Sequence, residues 1–117
     1  MLENKAEGIY YILEKYLVSG WKKLVLRAKL KSDYYEIEFF VKVNGKYVQC
    51  YDLCDKYSLS YDELENDFHK LYKYCVDDCG AFDSFTMTLN SNRHFRFDYH
   101  YDEGEPDNKK WCELYLN

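Results

Sequence analysis

Tyr35-Glu36-Ile37-Glu38-Phe39-Phe40-Val41-Lys42-Val43-Asn44-Gly45-Lys46-Tyr47-Val48-Gln49-Cys50 is the stretch that decides the fold of this 117-residue chain. Tyr35, Ile37, Phe39, Val41 and Val43 alternate with Glu36, Glu38, Phe40 and Lys42. Period 2 is the signature of a strand with one face buried. Asn44-Gly45 then predicts a two-residue type I′ hairpin, because both residues tolerate positive φ and the turn matches the twist of the flanking strands. That turn sets a register. Val43 faces Lys46, Val41 faces Val48 and Phe39 faces Cys50. The pattern places Val48 and Cys50 on the core face, and Tyr47, Gln49 and Tyr51 on the other.

Upstream, Leu24, Leu26, Ala28 and Leu30 alternate with Lys23, Val25, Arg27 and Lys29, which predicts another strand, and Lys31-Ser32-Asp33 is its turn. Ile9, Ile12, Leu13, Tyr16 and Leu17 recur with helical spacing, and Ser19-Gly20 stops that helix. Downstream, Ser60-x-x-Glu63 is a capping box with Leu59 and Leu64 at the staple positions. It opens a helix whose stripe is Leu64, Phe68, Leu71, Tyr72, Cys75 and Cys79, with Gly80 as its stop. Phe85, Met87 and Leu89 alternate with Ser84, Thr86 and Thr88. After the turn Asn90-Ser91-Asn92, Phe95, Phe97, Tyr99 and Tyr101 alternate with His94, Arg96, Asp98, His100 and Asp102. Gly104-Glu105-Pro106-Asp107 breaks the pattern, and residues 109–117 fit a short helix or a last strand equally. The order α-β-β-β-α-β-β plus a short C-terminal element predicts one α+β domain over residues 1–117. Its antiparallel sheet has about five strands, with two helices packed on one face.

Composition narrows the function classes. The net charge is -5, and it is uneven: residues 1–60 carry ten Lys/Arg against eight Asp/Glu, residues 61–117 six against thirteen. An acidic half is repelled by nucleic acid and anionic membrane and attracted to basic protein surfaces. Fourteen tyrosines supply rings that suit both half-buried sheets and binding surfaces. The five cysteines are Cys50, Cys54, Cys75, Cys79 and Cys112. An odd number, with a charged N-terminus that is unlike a signal peptide and no apolar run of membrane length, points to free thiols in the cytoplasm.

Four constellations bear on chemistry. Cys50-x-x-x-Cys54 and Cys75-x-x-x-Cys79 lie on core-facing positions, where cysteine packs as a small hydrophobe, and lack the tighter knuckles of zinc sites; no metal and no cofactor is expected. His94, Arg96, Asp98 and His100 make a polar row that suits either a phosphodiester site or the solvated face of an antiparallel strand. Lys22, Lys23, Arg27, Lys29 and Lys31 sit near tyrosines, but a pI of about 5.2 is far from the basic footprint of nucleic-acid binders. The run from Asp98 to Asp107 combines carboxylates with rings. It reads as a binding surface or as a solvated loop.

The sequence resembles the YezG-like immunity proteins of bacterial polymorphic-toxin and contact-dependent inhibition systems. The similarity lies in Trp21-Lys22-Lys23-Leu24-Val25-Leu26, the Tyr35-to-Phe40 run before the Asn-Gly turn and the capped helix from Ser60. It continues in Phe85-Thr86-Met87-Thr88-Leu89, the Phe95-to-Asp102 strand and the closing run from Trp111 to Leu116. The resemblance implies a cytoplasmic antitoxin without catalysis. It would bind the C-terminal domain of a cognate toxin, a basic nuclease by charge complementarity. Tight inhibition needs aromatic anchors ringed by charge. That requirement selects Tyr99, Tyr101 and Trp111 as anchors, with Asp98, Asp102, Glu103, Glu105 and Asp107 pairing to the partner's Lys and Arg. Two alternatives stand beside it: a small nucleic-acid-processing enzyme using His94, Arg96 and His100, and an adaptor that dimerises through Tyr34, Phe40, Tyr47 and Tyr51.

Overall fold

The Asn-Gly turn forms as its chemistry demands, with φ of 53° at Asn44 and 79° at Gly45. It joins β2 (Tyr35–Val43) to β3 (Lys46–Gln49), with Val43 opposite Lys46 and Val41 opposite Val48. The computed structural model describes residues 2–30, 35–75, 84–101 and 107–116. The expected Gly80 stop, Cys79 and Tyr34 lie outside them.

Beyond Gln49 the chain departs from the alternating pattern. Cys50 does not extend β3 opposite Phe39; it opens the helix α2 (Cys50–Tyr57). The cause is local. Gln49 is extended, and its side-chain oxygen accepts a bond from the Tyr51 N–H at 3.0 Å, which caps the helix. Cys50, Leu53 and Cys54 fall at i, i+3 and i+4 and are all buried, so a helical stripe was hidden inside an alternating run. Tyr51 therefore stands on α2, not on the polar face of the sheet. Ser58, at φ 56°, ends α2, and Ser60 opens α3 (Tyr61–Cys75) by accepting from the Glu63 N–H at 3.2 Å.

The sheet has the order β3-β2-β1-β4-β5, and every neighbouring pair is antiparallel. β1 (Trp21–Leu30) is central, β4 (Ser84–Asn90) and β5 (Phe95–His100) complete it. α1 (Leu2–Leu13), a 3-10 turn over Glu14–Tyr16, α2 and α3 contribute to one core with the face bearing Leu24, Leu26, Phe39, Val41, Phe85 and Met87. Inside it Tyr16 donates to Asp67 at 2.6 Å, and Lys15 meets the same carboxylate at 3.0 Å. Asp67 is 1% exposed, and these bonds are what make its burial tolerable.

Four helices are present among the described residues, giving the order α-β-β-β-α-α-β-β-α. The expected α+β fold with a five-stranded antiparallel sheet forms; α2 joins the expected two helices on their face of the sheet, and the tail settles as a helix. It forms α4 (Asn108–Tyr115), which packs on the opposite face of the sheet. Asp107 caps it by accepting from the Lys110 N–H at 2.9 Å. Trp111 and Tyr115, one helical turn apart, then both meet the sheet.

Candidate functional site

Among the described residues, the rings and acids expected to meet a partner near the C-terminus are largely occupied by the fold. Trp111 is 0% exposed. Its Nε1 donates to Thr86 Oγ1 at 2.9 Å, its ring lies 5.8 Å from Phe40, and the Arg27 guanidinium sits 4.7 Å above it. The anchor role is corrected: Trp111 fastens α4 to the sheet, and a partner cannot reach its ring while α4 is in place. Asp98 is engaged twice, by the Tyr115 hydroxyl at 2.9 Å and by Arg96 Nε at 3.0 Å. Burial and that hydrogen bond push the Tyr115 hydroxyl up to about 12. Tyr99 is half-buried and stacks on Phe97 at 5.9 Å. Asp107 is exposed but spends one oxygen on the α4 cap. Tyr101 is 57% exposed. Asp102, Glu103 and Glu105 lie outside the described residues.

The histidine row does not converge. His94 lies just before β5 and His100 is its last residue, and six positions of extended chain put them about 20 Å apart at the usual strand rise. That separation is too large for both to act on one bond. His100 stands opposite Ser84 in the register, and the His100 Nε2 and Ser84 Oγ atoms are both buried without a hydrogen-bond partner among the described residues. Among the described residues no group of three or more His, Cys, Asp or Glu is placed to hold a metal ion. Cys50, Cys54 and Cys112 are free thiols, and burial pushes the Cys50 thiol up to about 11. No helix among the described residues is long and apolar enough to cross a membrane.

A second cluster of rings and acids lies where α2 meets α3. From Tyr51 to Asp67 the chain carries six acidic residues and one lysine. Asp67 is buried, whereas Asp52, Asp55, Asp62, Glu63 and Glu65 are all exposed. Tyr51 and Tyr61 stack at 6.2 Å, near parallel, with 39% and 44% of their surfaces exposed. The Tyr61 hydroxyl donates to Asp55, which pushes it up to about 12 and fixes the ring. Tyr51 leans edge-on against Phe68, which ties the pair to the core. The result is an exposed, stacked aromatic pair with negative charge around it.

This corner borders a groove of about 470 Å³ lined by Tyr51, Glu65 and Phe68 on the helix side, by Tyr35, Glu36, Ile37 and Glu38 along β2, and by Arg27 and Lys29 of β1. Sequence reasoning missed the corner because Tyr51 was assigned to a strand. The signal that points to it is the charge count, six acidic residues against one lysine from Tyr51 to Asp67. Compared with known proteins, the chain matches no family model and no curated protein sequence.

Proposed function

We propose that this protein is an immunity-type inhibitor: in the cytoplasm it binds a cognate bacterial toxin domain, a basic nuclease, and neutralises it by protein–protein contact without catalysis of its own. The observation that carries the reading is the α2–α3 corner. Two stacked, half-exposed tyrosines sit on capped helices with five exposed carboxylates along the same segment. Rigid rings give contact area at little entropic cost, and the carboxylates steer a positively charged partner and fix its orientation. Tyr101 extends the surface. It follows His100, which shares a cross-sheet row with Ser84, Lys29 and Glu36. Tyr101 and the groove therefore lie at the same end of the sheet, about 15 Å apart at the usual strand spacing, within the span of one ordinary interface.

The test is co-expression with the toxin domain encoded beside this gene. Growth restored by the wild-type chain, together with a stable complex in size-exclusion chromatography, is the expected result. Growth that stays arrested, with no complex formed, rejects the reading. Within a complex, Tyr51→Ala with Tyr61→Ala weakens binding by about thirtyfold or more, the scale of an aromatic hot spot.

A further inference from the structure

The feature not yet used is the unpaired length of β2. β3 pairs with β2 only from Phe40 to Val43, because Gln49 turns away to cap α2. Residues 35–39 of β2 have β1 on one side and no described strand on the other. In a two-residue hairpin the closing pair is hydrogen-bonded and the bonds alternate from there. Starting at Val43 and Lys46, that phase turns the backbone N–H and C=O of Ile37 and Tyr35 toward the open side. An open edge of this kind is a template for another strand. The fold already shows what fits it, since β3 occupies the same edge four residues further on.

The two faces of this edge differ chemically. On the helix side stand Ile37, Tyr51 and Phe68, which form the apolar wall of the groove. On the other face stand Glu36 and Glu38. Glu36 is exposed and stands opposite Lys29 of β1, and Glu38 stands opposite Arg27, 3.7 Å away, and keeps 35% of its side chain open; each carboxylate therefore has a cation on its β1 side and the open edge on its other side. A strand laid here directs alternate side chains to the two faces. One set packs into the groove, and the other stands directly beside the two carboxylates, where opposite charge is favoured.

We propose that the open stretch of β2 takes up an extended segment of the partner protein as an added strand in line with β3, a segment in which apolar and Lys/Arg residues alternate. The identity of the partner rests on the inhibitor reading; the chemistry of the segment rests on the edge and its two faces alone. Backbone bonds supply affinity, and the alternating pockets supply selection.

Two measurements test it separately. The first uses the full chain and a synthetic seven-residue peptide of alternating lysine and valine at millimolar concentration, read by amide hydrogen exchange. Exchange at Ile37 and Tyr35 slows about tenfold or more, as expected of newly bonded amides, and a glutamate-valine peptide leaves it unchanged. Unaltered exchange with the lysine peptide overturns the proposal. So does protection that is present before any peptide is added and disappears on dilution, since a second copy of the chain then holds the edge.

The second measurement uses the toxin domain once a complex with the wild-type chain is in hand. Ile37→Pro removes the outward N–H at a position where an edge strand tolerates proline, and Glu36→Lys with Glu38→Lys reverses the charge without touching the backbone. Each weakens the complex about tenfold or more if the edge is the docking site. Should Ile37→Pro fail to fold, the charge-reversed variant decides. Unchanged affinity in a folded variant rejects the edge and leaves the inhibitor reading standing. Failure of the wild-type chain to bind any toxin rejects the inhibitor reading and leaves the peptide measurement to judge the edge.

Discussion

Two regions of this molecule are built from the same materials and do opposite things. Around α4 and β5, tyrosine, tryptophan and aspartate bond to one another: Trp111 to Thr86, Tyr115 to Asp98, Arg96 to Asp98. At the α2–α3 corner the Tyr61 hydroxyl also donates to Asp55, but the rings of Tyr51 and Tyr61 and the carboxylates around them stay exposed to water. Composition does not separate the two. What does is whether a second layer of structure lies on top. α4 closes over the polar face of the sheet, and its rings find hydrogen-bond partners there. Nothing among the described residues closes over the corner. A ring and an acid become a binding surface only where the fold has left them unused.

The comparison predicts opposite responses to mutation. The largest effect belongs to Trp111→Ala, which empties a fully buried site and orphans Thr86. A loss of about 3–5 kcal/mol is expected, read as a lower denaturation midpoint, with α4 detached in hydrogen exchange. A near-neutral result would mean that α4 is not held by this ring, and the contrast between the regions would collapse.

Next comes Tyr16→Phe in the main core, which leaves buried Asp67 without its hydroxyl donor and costs about 1–3 kcal/mol. Burial, reinforced by the bond to Asp67, raises the Tyr16 hydroxyl above its ordinary value of 10.0. The folded state thus holds this proton more tightly than the unfolded chain does. The associated stability is complete below pH 10 and declines as pH rises above it. Cys50 adds a decline that begins nearer 9.0 and runs toward about 11. Denaturant midpoints should therefore fall through the alkaline range, and Tyr16→Phe should flatten the part above pH 10. A midpoint that rises there, or a slope unaffected by the substitution, contradicts the assignment.

Tyr115→Phe is smaller, about 1 kcal/mol, because Asp98 keeps Arg96 as a partner. The smallest stability effect is expected at the corner. Asp52→Asn, Asp62→Asn and Glu65→Gln together leave the melting temperature in place, since these carboxylates are exposed. The same triple variant slows association with a basic partner, most clearly at low salt. If it instead unfolded the protein, the corner would belong with α4 as structure.

Much of this was legible in the sequence because the signals are local. Asn44-Gly45 can adopt positive φ, so the hairpin and its register follow from two residues. Ser60 and Glu63 sit at cap spacing, so the start of α3 follows from four. Alternation along β1, β2, β4 and β5 gave the faces and hence most of the core. What local pattern could not separate was the run from Gln49 to Cys54. There an alternating register and an i, i+3, i+4 stripe coexist, and Gln49 decided it by bonding back to Tyr51. The tail was ambiguous for a related reason: eight residues with two rings one turn apart fit a helix or a strand until something is there to receive them.

The amino-acid sequence by itself determined an antiparallel sheet, its hairpin, the first helix and the capped helix from Ser60, and the acidic, tyrosine-rich character of the chain. These depend on neighbours a few residues apart, whose steric and hydrogen-bonding preferences act at short range. Only the tertiary structure decided which rings and carboxylates remain available. Availability depends on which groups, far apart in sequence, come to lie against each other. Trp111 reaches Thr86 and Arg27, and is consumed; Tyr51 and Tyr61 reach each other at the surface, and remain open.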